Sequence, residues 1–299
     1  MISRRNTLKS VVGGSLALPF AGVTLAAAEP ALSWTAFPAD ENGFLRAPVL
    51  VTGRTEAVLI DAGFNYAEGR RVIEAIRASG KTLKTVYVSA NDPDYYFNLP
   101  IIRRAYPDVP ILAVPPTVEL MRKKAEGKVA TWAAKLGSND PARVADLVFP
   151  EPSTIDRLTV DGQEIQILNV PGTNDRSRYL WVPSLRAVFG GVAVFSGMYP
   201  WIADVSSVAE RNAWIAALDA IAAHRPEIVV PGHMRPDWPM DMSGVTYTRD
   251  YVAAFNEEDA RTANSAELIE AMRQRFPGGA MPISLELGAK VAKGEMRWG

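Results

Sequence analysis

The sequence lacks cysteine and is poor in histidine, since its 299 residues include only His224 and His233. Without cysteine the chain can form no disulfide, offers no thiolate nucleophile and cannot be anchored through a lipid-modified cysteine. Zinc in proteins is held mostly by histidine and cysteine. Any metal bound here must therefore take most of its ligands from oxygen atoms.

Several motifs that identify common enzyme classes are also missing. The sequence contains no glycine-rich phosphate loop, no G-x-S-x-G nucleophile elbow and no dinucleotide fingerprint. An excess of basic residues is absent too, because 32 lysines and arginines face 33 aspartates and glutamates. Nucleic-acid binders usually show a basic face, so we expect no nucleic-acid partner. With 48% hydrophobic and 22% charged residues, the composition is that of a globular protein, whose partner we expect to be a small-molecule substrate or ligand.

The amino-terminal segment has the order of features typical of an export signal. Arg4 and Arg5 stand ahead of an apolar residue and a lysine, which is the pattern read by the twin-arginine translocon. A mildly hydrophobic run from 11 to 25 follows, too short and too interrupted to span a membrane. Ala26 and Ala28 then complete an A-x-A cleavage site. We expect a periplasmic or secreted protein that meets the translocon during export and has no stable membrane anchor; the alternative is an ordinary amphipathic first helix.

The rest of the chain repeats one order of elements twice. Short β-rich runs between 33 and 63 lead into alternating helices and strands up to about residue 136. In the second half an Asp161-Gly162 turn joins two alternating strands, and Ser207 to Glu210 forms a capping box that opens a helix. Hairpins that lead into helix–strand units predict two β-sheets with helices on their outer faces, an α+β four-layer αββα sandwich.

Three polar loops follow directly after predicted strands. They span Ser89–Tyr96, Gly172–Arg176 and Gly232–Arg235, and Asp61 ends a further strand. Open α/β sheets present their ligands at the carboxyl ends of the strands. We therefore expect these loops to form the functional site.

The order of these loops resembles the metallo-β-lactamase fold superfamily of hydrolases from about 49 to 233. The shared framework consists of a D-x-G strand end, an aspartate-rich loop, a loop at Gly172 and a P-G-H loop, and in the superfamily it builds two adjacent zinc sites. Here only Asp94 and His233 match the family's ligands. The other five ligand positions fall on Ala90, Asp92, Tyr95, Thr173 and Val192.

This pattern is closest to a divergent branch whose loop reads roughly S-H-x-D-P-D-Y-Y-F. The segment Asp92-Pro93-Asp94-Tyr95-Tyr96-Phe97 matches the last six positions, whereas Ala90 stands where the branch has histidine. With the export signal at 1–28, the resemblance implies that 29–299 form one metallo-β-lactamase-like domain with a C-terminal helical extension. It also implies that the usual two-zinc centre is absent.

A single metal site is one interpretation of the residues that are left. Asp92, Asp94 and His233 would hold one divalent ion, joined by Asp61, Asp175 or Asn91. Such an oxygen-rich set suits zinc, manganese or iron. The alternative is no metal: the two aspartates then form a turn and cap the next helix, and His233 bonds to the backbone.

Two functions fit these residues. The first is hydrolysis of an ester, lactone or thioester, in which Asp94 orients the attacking water and Tyr95 or Thr173 donates to the developing oxyanion. Without a metal, Asp92 or Asp94 would act as the base. The second is a non-catalytic periplasmic protein that binds a small apolar molecule on the same fold. Its pocket would be lined by aromatic residues at Trp132, Tyr199, Trp201 and Trp238.

Overall fold

The computed structural model describes residues 32–133, 136, 141–170 and 177–298. The predicted signal peptide, and with it the cleavage site at Ala26 and Ala28, lies outside these residues. None of the described helices is long and apolar enough to cross a membrane.

The described residues form thirteen strands and eight α-helices, of which six strands and four α-helices belong to the first half of the chain. A left-handed Gly80 at φ +65° ends the first helix, a conformation in which glycine is favoured. The elements are β1 (Ser33–Ala36), β2 (Val49–Thr52), β3 (Glu56–Ile60), α1 (Tyr66–Ser79), β4 (Thr82–Tyr87), α2 (Pro93–Tyr96), α3 (Leu99–Ala105), β5 (Ile111–Ala113), α4 (Pro115–Trp132) and β6 (Glu151–Pro152).

The second half adds seven strands and four helices. The predicted capping box at Ser207 and Glu210 begins the first of these helices. The elements are β7 (Arg157–Val160), β8 (Gln163–Asn169), β9 (Arg178–Val182), β10 (Ala187–Phe189), β11 (Phe195–Ser196), α5 (Val208–Ala223), β12 (Ile228–Val229), β13 (His233–Met234), α6 (Met242–Arg261), α7 (Ser265–Arg275) and α8 (Pro282–Ala292).

The strands form two large sheets and one small one. The first sheet has the order β1-β2-β3-β4-β5-β6, the second β12-β10-β9-β8-β7, and β11 pairs with β13. Apolar side chains of both large sheets meet in one buried cluster that includes Val58, Ile60, Val160, Leu180 and Phe189. Alternate residues of a strand point to opposite faces, so the other faces must be covered by helices.

Two further clusters provide that cover. Val72, Ile76 and Met121 of α1 and α4 pack in one cluster with residues of the first sheet. Trp214 and Leu218 of α5 pack in another with residues of the second sheet and of α6 to α8. Helices on the outside of two packed sheets confirm the predicted αββα sandwich.

Candidate active site

The loop after β4 turns sharply into the short helix α2. Asp92 is the residue before this helix, and Pro93 occupies its first position, where the missing N–H costs nothing. Asp94 follows within the helix and is only 7% exposed. His233 reaches the same place from β13, directly after Gly232. A Cβ on Gly232 would lie 2.1 Å from the carbonyl oxygen of Gly191, so only glycine fits beside the histidine.

Asp94 and His233 form a close pair. Nε2 of His233 lies 3.5 Å from Oδ2 of Asp94. Nδ1 of the same ring lies 2.8 Å from the carbonyl oxygen of Phe44, and because a carbonyl can only accept, Nδ1 carries the hydrogen. The ring also stacks on Phe195, with 5.0 Å between centroids and 6° between planes. The neutral imidazole is thus held with its Nε2 lone pair facing the carboxyl group.

The charged forms of both groups are disfavoured by burial. Burial, followed by the nearby Asp92 carboxylate, raises the pKa of Asp94 to about 7. Burial, followed by the Arg46 guanidinium, lowers the pKa of His233 to about 4. Oδ2 of Asp94 is buried and accepts no hydrogen bond within the described residues. Near neutral pH the pair therefore consists of an uncharged imidazole and a carboxyl group that ionises readily.

A second buried carboxylate, Asp61, is fully occupied by other groups. The Arg46 guanidinium forms an ion pair with its Oδ2, and neither side chain is exposed. The backbone N–H of Ser89 donates to Oδ1 at 2.6 Å, and the Ser89 hydroxyl donates to Oδ2 at 2.7 Å. Burial raises the pKa of Asp61, and Arg46 opposes that rise. Asp61 acts as an acceptor for loop groups and not as a ligand shared with Asp94.

Arg46 is the main site residue that sequence reasoning missed. Its guanidinium also donates to the backbone oxygens of Ala47 and Gly232, and its Cζ lies 3.8 Å from the centroid of the Tyr95 ring. The one available signal was an arginine inside the apolar run from 44 to 51. A charge in such a run is buried only when it is paired, which indicates an internal partner.

Tyr95, predicted to donate to the developing oxyanion, has its hydroxyl engaged within the protein. Its hydroxyl donates to the carbonyl oxygen of Gly191 at 2.8 Å and lies 3.4 Å from Nε2 of His233. The side chain is fully buried, and burial raises its pKa well above the ordinary value. With its hydrogen committed to Gly191, Tyr95 supports the loop beneath His233 and is not placed to stabilise an oxyanion in the cavity.

The predicted metal ligands come together only in part. Oδ1 of Asp92 lies 3.6 Å from the Lys128 ammonium, while Asp94 and His233 face each other. The described part of the chain contains no group of three or more histidines and carboxylates that could hold a metal ion. A tetrahedral site needs three or four ligands. The two ligands at Asp94 and His233 do not make up such a site, so the described residues do not fit the predicted metal.

Other candidates of the sequence are distributed as follows. Thr173 and Asp175 lie outside the described residues. Asn91 is buried beside the same loop. Ser89, the first residue of the predicted loop, donates its hydroxyl hydrogen to Asp61 and accepts from the N–H of Gly191 at 2.8 Å. His224 ends α5 and lies 3.1 Å from the Tyr179 hydroxyl, which agrees with a structural role.

A largely apolar cavity opens above Asp94 and His233. It is partly open to solvent, and Lys128 is its one lining lysine within the described residues. Of the four aromatic residues predicted to line a pocket, Trp132 and Trp201 do so, whereas Tyr199 and Trp238 do not. The other aromatic lining residues are Phe44, Phe195, Trp214 and Trp298. An aromatic wall of this kind suits the apolar part of a small organic molecule.

Solved structures with the same fold are numerous. A beta-lactamase domain protein from Burkholderia ambifaria is 15% identical, with 90% of this chain and 86% of that chain covered and a TM-score of 0.62. A metallo-beta-lactamase family protein from Thermus thermophilus is also 15% identical, with 89% and 93% covered and a TM-score of 0.60. At this level of identity the likeness shows the fold alone.

The sequence itself matches a family model. No curated protein matches the chain. Residues 44–233, however, match the model of the metallo-beta-lactamase superfamily. The match covers the second large sheet and all of the first except β1, and it ends at His233, the second member of the buried pair. This chain belongs to the metallo-beta-lactamase superfamily.

Proposed function

We propose that this protein hydrolyses an ester, lactone or thioester bond of a small apolar molecule, with Asp94 as the general base. The observation that carries the proposal is the buried Oδ2 of Asp94, which has no hydrogen-bond partner within the described residues and belongs to a side chain that lines the cavity. A base must reach the proton that it removes without first giving up another bond. Asp94 meets this requirement and Asp61 does not.

The reaction assigns one role to each member of the pair. The Asp94 carboxylate takes a proton from a water molecule as the water oxygen attacks the carbonyl carbon of the substrate. The protonated Asp94 then gives that proton to the leaving alkoxide or thiolate, so that one ester and one water yield one acid and one alcohol or thiol. Nε2 of the neutral His233, 3.5 Å away, accepts a hydrogen bond from the water or from the protonated carboxyl. No step is assigned to a metal, because the described ligands do not form a site for one.

Lys128 is the group we assign to the developing negative charge. Its ammonium lines the same cavity as Asp94 and pairs with Asp92 at 3.6 Å, with its side chain 23% exposed. A cation fixed beside the carbonyl stabilises the charge that appears on its oxygen in the transition state. This replaces the oxyanion role that the sequence predicted for Tyr95.

The test is hydrolysis by the purified protein of neutral aryl esters, an aryl lactone and an aryl thioester, with a chelator present. We expect measurable turnover that falls by about 100-fold or more in Asp94→Asn. The matched control is Asp156→Asn, an exposed carboxylate paired with Arg157, which should change nothing. Turnover that survives in Asp94→Asn, or that is abolished by the chelator, would contradict the role of Asp94.

A non-catalytic binding protein is the second candidate, favoured by the mostly apolar and aromatic wall of the cavity. It predicts that an apolar aromatic dye binds in the cavity and is displaced by other apolar molecules, while none of the test substrates is turned over. Substituting Asp94 would then leave dye binding unchanged. Turnover dependent on Asp94 would exclude this candidate.

We also propose that the protein is exported by the twin-arginine route, on the basis of the paired arginines and the Ala26–Ala28 cleavage pattern. The experiment is cell fractionation of the full chain beside Arg4→Lys/Arg5→Lys. We expect the unchanged chain in the periplasm or medium in a shortened form, and the double variant inside the cell at full length. Equal export of both would contradict the proposal.

A further inference from the structure

The cavity continues into a groove that carries positive charge. The groove shares Asp92, Lys128, Trp132, Asp204 and Trp298 with the cavity, and it adds Lys123 and Lys124. We call Lys123, Lys124 and Lys128 the lysine groove. All three belong to α4, and Lys124 and Lys128 are four residues apart, so they lie on the same side of the helix one turn from each other.

The acidic residues of this region compensate that charge only in part, since three lysines and two aspartates line the groove within the described residues. Asp92 pairs with Lys128 at 3.6 Å, and Asp204 accepts a hydrogen bond from the Trp298 indole at 2.9 Å. Within the described residues no carboxylate lies at ion-pair distance from Lys123 or Lys124. A groove with an excess of cations attracts anions.

The two features lie side by side and differ in chemistry. An aromatic pocket binds an apolar body, while two lysines at its rim favour a negatively charged group. The shared residues Trp132 and Trp298 join the two, so one ligand can occupy both. A neutral ligand would leave the lysine groove unused.

Resting on the proposed function of the same cavity, we infer that the substrate is an amphipathic anion. It is an ester, lactone or thioester with an aromatic or acyl body that enters the cavity and a carboxylate, sulfonate or phosphate group that lies in the lysine groove. The bond to be hydrolysed lies between them, near Asp94. Hydrolysis by the route given above leaves the charged group on one product and needs no reactant besides water.

Two dyes with the same aromatic body test this directly. 8-Anilinonaphthalene-1-sulfonate carries a sulfonate, and N-phenyl-1-naphthylamine does not. At low ionic strength we expect the sulfonate dye to bind about tenfold more tightly, and the advantage to disappear in about 1 M salt. Trp201→Ala, which changes the apolar wall and leaves the three lysines in place, should weaken both dyes and so shows that they occupy the cavity.

The lysines are tested by a matched pair of double variants. Lys123→Ser/Lys124→Ser should weaken the sulfonate dye about tenfold and leave the neutral dye unchanged. Lys81→Ser/Lys84→Ser removes the same charge around the start of β4, at the opposite end of that strand from Asp94, and should affect neither dye. Equal affinity for both dyes, or a sulfonate dye insensitive to the first double variant, would overturn the inference.

The outcome is independent of turnover because dye binding requires no hydrolysis. Charge-dependent binding without hydrolysis of any ester would overturn the proposed function and leave the amphipathic ligand standing. Hydrolysis that depends on Asp94, together with dye binding that does not depend on charge, would support the proposed function and overturn the amphipathic ligand.

Discussion

Asp61 and Asp94 are both buried aspartates near the carboxyl ends of neighbouring strands, yet their surroundings are opposite. Both oxygens of Asp61 are bonded, to Arg46 and to the backbone and hydroxyl of Ser89. Asp94 has a buried oxygen with no hydrogen-bond partner within the described residues, and it faces the lone pair of His233 across 3.5 Å. One carboxylate holds loops together, whereas the other is available for chemistry.

The difference teaches that burial alone does not identify a functional carboxylate. Burial raises the pKa of both groups, but the guanidinium beside Asp61 compensates its charge while Asp92 adds a second negative charge beside Asp94. A paired buried charge contributes to holding one conformation, and an unpaired one is ready to exchange a proton. The following predictions test this contrast, beginning with the largest effect.

The largest effect is expected from removing the charge of Asp61. Asp61→Asn leaves the Arg46 guanidinium buried without a counter-ion, so we expect the free energy of unfolding to fall by about 3–5 kcal/mol, measured by urea denaturation. The double variant Arg46→Met/Asp61→Asn removes both charges and should recover part of that loss. If Asp61→Asn costs no more than a surface substitution, Asp61 does not have the structural role assigned to it.

His233→Ala should lower activity and stability together, but by less. The substitution removes the hydrogen bond to Phe44 and the stacking on Phe195, which we expect to cost about 1–3 kcal/mol of unfolding free energy. Turnover should fall because the water beside Asp94 loses its acceptor. His224→Ala is the matched control, since it removes the other histidine from a site remote from catalysis. Equal losses of turnover in the two variants would contradict the pairing of His233 with Asp94.

The pH dependence of stability separates the members of the pair. Between about pH 4 and 6.5 the folded Asp94 keeps its proton while the unfolded one loses it, so its contribution to stability falls as pH rises. Over the same range the folded His233 is neutral while the unfolded one is protonated, so its contribution rises with pH. The two slopes oppose each other and should nearly cancel.

Each single variant should therefore uncover the slope of the partner. As pH rises from about 4 to 6.5, the free energy of unfolding of Asp94→Asn should increase by on the order of 2 kcal/mol relative to that of the unchanged protein. Over the same range the free energy of unfolding of His233→Ala should decrease by a similar amount. Thermal or urea unfolding across this range is the measurement. Identical pH profiles for all three proteins would show that neither group is perturbed as described.

The smallest effect is expected at Ser284, a third buried polar group at this cavity. Its hydroxyl in the first turn of α8 has no hydrogen-bond partner within the described residues and lines the cavity. Ser284→Ala removes an unsatisfied donor, so the stability of the free protein should stay the same or rise slightly, by less than about 1 kcal/mol. A loss of stability larger than that would show that the Ser284 hydroxyl forms a hydrogen bond in the free protein. It would then resemble the bonded carboxylate of Asp61 and not the unbonded oxygen of Asp94.

The sequence predicted the sandwich and the pair for identifiable reasons. Hairpin turns, helix caps and the glycine at the end of α1 depend on residues close together in the sequence, so they can be predicted without the tertiary structure. Asp94 and His233 could be named because each lies in a polar loop after a predicted strand and matches a ligand position of the family, although they are far apart in the chain. Their meeting depends only on both strands ending at the same edge of the molecule.

The parts of the site that could not be predicted depend on contacts between residues that are far apart in the sequence. No residue next to Asp61 in the sequence indicates that its carboxylate forms an ion pair with Arg46, fifteen residues earlier. Asp92 and Asp94 are alike in sequence, but the ammonium of Lys128 on α4 lies beside only the first at ion-pair distance. Trp298 and Ser284 line the cavity from beyond residue 233, where the family match ends, so the framework of loops gave no sign of them.

The pH–rate profile of hydrolysis tests the central claim most directly. With a neutral aryl ester as substrate, kcat/KM should rise as pH increases through about 7, because the carboxylate form of Asp94 is the base. In Asp94→Asn the residual rate should lack that rise, while Asp156→Asn should retain it. A profile that is flat through neutral pH, or a rise that persists in Asp94→Asn, would contradict the assignment of Asp94 as the catalytic carboxylate.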